Sequence, residues 1–151
     1  MYKILAVALL AATTAISGGF QLRVEEAGEG SDAHILVRTY RCNEPERAEV
    51  SATAEGIVAG KRISKDLTLR TVRRGVYALN QTWPQKGRWV LALYGKYKGQ
   101  KASTLVALDR AGGIARIMTD KGEAPDVRIY DHFLSRADID HALQEHVAES
   151  D

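Results

Sequence analysis

A second cysteine is missing from this sequence: Cys42 stands alone in 151 residues. No internal disulfide can form, so the fold must rest on its hydrophobic core. Cys42 itself reads as a small, buried or semi-buried apolar residue. A free thiol and an intermolecular half-cystine are the alternatives. A run of apolar residues long enough to span a bilayer is also missing, since the longest, Ile4 to Ile16, has 13 residues against the ~20 that a crossing needs. There is no Gly-x-Ser-x-Gly elbow and nothing local to activate Cys42, which leaves nucleophilic catalysis without support. No low-complexity tract and no internal repeat occurs.

Other chemistries fail on spacing. Gly28-Glu29-Gly30-Ser31-Asp32-Ala33 fits a dinucleotide fingerprint formally. That fingerprint needs a helix to follow it, and here a strand follows. A blue-copper loop needs His and Met soon after its Cys; Asn43, Glu44, Pro45 and Glu46 follow Cys42. His34 precedes Cys42 by eight residues, about 26 Å in an extended strand. His141 and His146 are five apart on a predicted helix and face different ways. His141 with Glu145 is correctly spaced, but two ligands make a weak site. No cofactor and no metal is therefore expected, and the histidines read as solvated. Asn80-Gln81-Thr82 is a glycosylation sequon that matters only in a eukaryotic secretory pathway.

What is present begins with an export signal. Lys3 precedes the apolar run, and Ala15-Ile16-Ser17 offers small residues for cleavage before Gly18. The expected location is periplasmic or extracellular, with a membrane anchor as the outcome if the segment is retained. The expected organisation is residues 1–17 as signal peptide, 18–32 as an N-terminal strand and linker, 33–130 as a β-sandwich, and 131–151 as a C-terminal helix and tail.

Strand patterns recur every 8–12 residues, with turn chemistry between them. Ala33 to Arg41 and Ala102 to Leu108 read as strands. Glu46 to Glu55 sets Ala48, Val50, Ala52 and Ala54 on one face, as in a sheet with one wet side. Ile63 to Val72 reads as one strand with Leu67 and Leu69 inward. Gly75 to Leu93 holds both tryptophans and reads as a hairpin closed by Pro84-Gln85-Lys86-Gly87. Asp120 to Asp126 reads as a loop, and Val127 to Tyr130 as an edge strand. Ile139, Ala142, Leu143 and Val147 share a helical face, and Ser135 with Asp138 suits an N-terminal capping box. The spacing predicts one helix over Arg136 to Ala148, packed on the sandwich. The expected fold is mainly β: an antiparallel, immunoglobulin-like sandwich of about seven strands with a C-terminal α-helix.

Gly75, Tyr77, Pro84, Gly87, Trp89 and Leu91 form the pattern G-x-Y…P-x-x-G-x-W-x-L. Over Gly75 to Leu93 this resembles the corresponding hairpin of the YtkA-like, immunoglobulin-type domains of bacterial envelope proteins. The resemblance implies a small exported β-sandwich and carries no catalytic residues with it.

Charge is segregated along the chain. Gly56 to Met118 holds thirteen basic and two acidic residues. Gly18 to Glu55 holds four basic and eight acidic, and Thr119 to Asp151 three and nine. Alternate turns of a sandwich lie at opposite ends. Arg73, Arg74, Lys98 and Lys101 are thus expected at one end with the Cys42 turn, and Lys61, Arg62, Lys86 and Arg110 at the other. Two outcomes follow. Acidic segments fold back over the basic body, including the helix with Asp138, Asp140 and Glu145. Alternatively, the basic turns form an exposed face for an anionic partner: an envelope protein, an anionic lipid or an acidic glycan. Nucleic acid is not expected, because only Tyr94 and Tyr97 interleave with the basic turns. The functional expectation is an exported, non-enzymatic binding or accessory domain; the alternative is an envelope protein handling copper or zinc.

Overall fold

The computed structural model describes residues 19–148, without the side chains of 147 and 148. The segment read as an export signal lies outside the described residues. Eleven strands and one helix follow in order. They are β1 (Gln21–Glu26), β2 (Ile35–Tyr40), β3 (Glu49–Val58), β4 (Lys61–Leu67), β5 (Arg70–Arg73), β6 (Val76–Leu79), β7 (Arg88–Tyr97), β8 (Gln100–Ala107), β9 (Arg116–Thr119), β10 (Gly122–Pro125), β11 (Val127–Tyr130) and α1 (Arg136–Ala148). The protein is mainly β, with antiparallel sheets and one C-terminal helix, as the alternation predicts. One sheet runs β1-β2-β6-β5, the other β11-β8-β7-β3-β4, and β9 and β10 form a separate hairpin.

The main core lies between the two sheets. Leu22, Ile35, Val37, Leu79, Leu91, Leu93 and Val106 are fully enclosed there, with Trp83 and Trp89 beside them. A second, smaller core lies on the outer face of the five-stranded sheet. There Ile139, Ala142 and Leu143 of α1 cover Val90, Ala92, Leu105 and Ala107. The molecule is therefore layered sheet, sheet, helix. β7 is enclosed on both faces from Trp89 to Leu93, which is why its sequence reads as a continuous apolar run. β4, an edge strand, carries Lys61, Arg62, Ser64, Lys65 and Asp66, a composition that discourages pairing with another chain.

Three expectations need correction. Eleven strands form among the described residues rather than about seven. Part of the excess comes from Asp120 to Asp126, read as a loop, which contributes to the β9–β10 hairpin. More comes from the stretch Ile63 to Val72, read as one strand. It divides at Thr68, and its halves join different sheets as β4 and β5. The third correction is to Gly75–Leu93, which is not a hairpin. β6 pairs with β2 and β5, while β7 pairs with β3 and β8. The segment between them crosses from one sheet to the other and buries Trp83 in the core on the way.

The helix matches its predicted bounds. The Ser135 backbone N–H donates to Asp138 Oδ2 at 2.7 Å, and the Asp138 N–H donates to Ser135 Oγ at 3.2 Å. This is a reciprocal capping box with Asp in place of the usual Glu. Asp138 is held below its ordinary carboxyl range by the Ser135 hydrogen bonds.

Candidate functional site

The end of the sandwich that carries the basic turns is assembled by three chain reversals. Arg74-Gly75 joins β5 to β6, and Lys98-Gly99 joins β7 to β8. Lys98 and Gly99 both have positive φ, 47° and 80°, as a two-residue hairpin turn matching the strand twist requires. The third reversal is the Cys42 turn, which ends in a 3-10 turn at Pro45–Arg47. The Thr39 N–H donates to the Gly75 carbonyl at 2.9 Å, and the Glu44 N–H donates to Tyr97 Oη at 3.3 Å. These bonds draw the three reversals together.

The four predicted residues divide. Arg74 forks onto Glu46, with Nε at 2.6 Å and Nη2 at 2.9 Å. Lys98 pairs with Glu44, which also meets Arg47 at 3.3 Å. The Lys98 and Arg47 contacts pull the Glu44 carboxyl below its usual range, and Arg74 does the same to Glu46. Acids of the Cys42 turn thus neutralise Arg74 and Lys98. The other two remain open. Lys101 Nζ stands 5.2 Å from the centroid of Phe133, and Arg73 is exposed.

Three further cations join Arg73 and Lys101. Arg23 lies 3.7 Å over the Tyr40 ring, with Arg41 5.8 Å from the same centroid. Lys96 is directly opposite Lys101 across the β7–β8 hairpin. Among the described residues, no carboxylate lies within ion-pair reach of Arg23, Arg41, Arg73, Lys96 or Lys101. Arg23 is also opposite Arg38, which turns to Glu25 at 2.7 Å. Like charges placed opposite each other destabilise a sheet, so this pairing opposes stability. The Lys96–Lys101 pairing was legible in principle, because a two-residue turn at Lys98-Gly99 dictates that register. Arg41 carried no local signal.

The opposite end is balanced. Lys61, Lys86, Arg88, Arg110 and Lys121 have no ion-pair partner there among the described residues, but Glu29, Asp109, Asp120 and Glu123 lie in the same loops and turns without one either. Elsewhere the acidic segments do fold back. Arg70 meets Asp32 at 2.9 Å, Arg116 meets Glu26 at 3.1 Å, and Arg62 meets Asp140 of α1.

A cleft of about 440 Å3 opens at the cationic end between Phe20, Gln100, Lys101, Asp131 and His132. The Phe20 N–H donates to Gln100 Oε1 at 2.8 Å on its floor, and His132 Nδ1 lies 3.1 Å from Asp131. Among the described residues, no group of three or more His, Cys, Asp or Glu side chains is placed to hold a metal ion. His141 is exposed beside Glu145 at 3.6 Å. His146, expected to be solvated, is instead buried, its Nε2 2.7 Å from the Leu108 carbonyl. Cys42 is half-buried against the main core.

The class defined by these features is a helix-backed antiparallel β-sandwich with one cationic end. No family model, curated protein or solved structure matches this chain. Among the described residues no helix is long and apolar enough to cross a membrane.

Proposed function

We propose that this protein is an exported, non-enzymatic binding or accessory domain that contacts an anionic envelope component or partner protein through its cationic end. One observation carries the reading. Arg23, Arg41, Arg73, Lys96 and Lys101 cluster at one end and form no ion pair among the described residues, outnumbering the unpaired Glu49 that lies opposite Lys96, while the opposite end is close to balanced in sign. Clustered cations of this kind raise the local concentration of anionic partners and speed their capture. Kinship with YtkA-like domains is proposed on the same footing. Its support is the residue pattern alone, with Tyr77 and Trp89 both reaching the core and Gly87 at a φ of 99°; the hairpin that the resemblance implied does not form, since β6 and β7 lie in different sheets.

The test is capture from an envelope extract by the immobilised protein at low and high salt. A partner held at low salt and released at high salt is expected, since exposed charges are screened within ~8 Å at physiological ionic strength. Arg73→Glu with Lys96→Glu should abolish that capture. Arg74→Glu is the poorer probe, because Arg74 is already engaged by Glu46. Capture unchanged by salt and by the double substitution would overturn the proposal.

A further inference from the structure

Resting on the reading above, we propose that the anionic partner is a lipid bilayer surface, met end-on by the cationic collar. The first observation is where the chain enters the fold. Gly19 lines the cleft at the cationic end, and Phe20 is anchored there, 3% exposed. The apolar run ends at Ile16, three residues earlier. Three residues reach at most ~10 Å when fully extended. The headgroup layer on each side of a bilayer is about 6 Å thick, taking the core from the total thickness. If the segment is retained rather than cleaved before Gly18, insertion of that run into a membrane surface would hold the cationic end against the headgroups.

The second observation is the shape of the cationic surface. Alternation along β1 and β7 places Arg23 on the outer face of the four-stranded sheet and Lys96 on the outer face of the five-stranded one. Arg73 belongs with the first group and Lys101 with the second. The backbones of two packed sheets are ~10 Å apart, so the groups are separated by more than that distance. A linear acidic glycan or peptide laid along either face meets only one of them. A charged plane across the end meets both.

The third observation is the aromatic content. Tyr40 and Phe133 are each 41% exposed, and both lie at this end beside cations. Aromatic rings at headgroup depth, with long basic side chains reaching to phosphates, are the usual composition of a membrane-contacting surface.

The experiment uses the full chain with two kinds of large vesicle: phosphatidylcholine alone, and phosphatidylcholine with about one-third phosphatidylglycerol. The apolar N-terminal run contributes equally to both vesicles, and Lys3 contributes equally to every variant, so the change in the ratio of the two partition coefficients between variants isolates the charge of the folded domain. Each basic residue near an anionic surface adds about fivefold to that ratio. The native chain is expected to prefer the anionic vesicles and to lose the preference at high salt. Arg73→Glu with Lys96→Glu should lower the ratio about 25-fold or more, with the circular-dichroism spectrum of the folded chain retained. The milder pair Arg41→Gln with Lys101→Gln should lower it less, and Lys61→Glu with Lys86→Glu at the far end should leave most of it. Equal partition into both vesicles, or a preference indifferent to Arg73 and Lys96, would overturn the lipid assignment. In that event, retention on polyglutamate that the same double substitution removes leaves the broader anionic-partner reading intact. Failure on both probes removes both.

Discussion

Trp89 lies over Gly56, its partner on the neighbouring strand, so closely that a Cβ on Gly56 would stand 2.5 Å from Trp89 Cε3. The indole Nε1 is fixed from its other side, donating to the Lys86 carbonyl at 3.1 Å. The ring therefore cannot slide away cheaply. Gly56→Ala should destabilise the fold by about 1–3 kcal/mol, the usual range for overpacking a core. Urea unfolding followed by tryptophan fluorescence checks this. An unchanged midpoint would show that the ring has room to move.

Thr104 joins the two sheets. Its Oγ1 donates to the Leu22 carbonyl at 2.7 Å, and both residues are fully enclosed. β1 is an edge strand, so this hydroxyl satisfies a carbonyl that no neighbouring strand reaches. Thr104→Val keeps the shape and removes the donor, leaving a buried acceptor unpaired. The expected cost is about 1–3 kcal/mol. Thr104→Ser should cost less, because the hydroxyl remains. Equal losses for Val and Ser in equilibrium unfolding would assign the effect to the methyl group instead.

Arg62 ties three elements together. It donates to Glu55 of β3 at 3.0 Å and to Asp140 of α1. Glu55 is 6% exposed and also accepts from Thr53 Oγ1 at 2.9 Å and Ser64 Oγ at 2.7 Å. Arg62→Ala leaves that buried carboxylate with hydroxyls alone. The loss should be about 1.5–3 kcal/mol, as for other hydrogen bonds to charged groups. Glu55→Leu together with Arg62→Leu should recover part of it, since the buried charge is then gone. A double substitution worse than Arg62→Ala alone would count against this account.

Acid should loosen the helix by protonating the carboxylates that cap and tether it. Ser135 holds the Asp138 carboxyl below its usual range, and Arg128 does the same for Glu145. Both groups have a folded pKa below the unfolded one. Their stabilisation is thus fully present above the unfolded pKa and is lost as pH falls through the folded one. The window lies below about pH 4, under the ordinary values for free Asp and Glu. Far-ultraviolet circular dichroism should show helical signal falling in that window, with a smaller acid response in Asp138→Asn. A helical signal flat to pH 2, in a chain whose sheets also persist, would contradict it.

Much of the local structure is written in the chain. The Ser135–Asp138 box and the face formed by Ile139, Ala142 and Leu143 delimit α1 at Arg136 and Ala148. Alternation in β3 correctly sends Val50, Ala52 and Ala54 to the core. These are short-range properties: a helix cap or a period of two depends on residues only a few positions apart. The segregation of charge into blocks is likewise a fact of the sequence.

Which strand pairs with which was settled only by the three-dimensional packing. β6 and β7 both read as strands from the sequence, yet they join opposite sheets, and the crossing segment between them buries Trp83 in the core. Ile63 to Val72 divides for a related reason: Leu67 and Leu69 both turn toward the core between the sheets as the chain crosses from β4 to β5. Which cations remain open was decided the same way. Arg74 and Lys98 meet Glu46 and Glu44 only because three turns distant in sequence converge at one end, whereas Arg73 and Lys96 form no ion pair among the described residues, although Glu49 lies opposite Lys96 in register. Sign and number of charges belong to the sequence. Their pairing depends on distances of a few ångströms between remote segments, and burial of the core sets those distances.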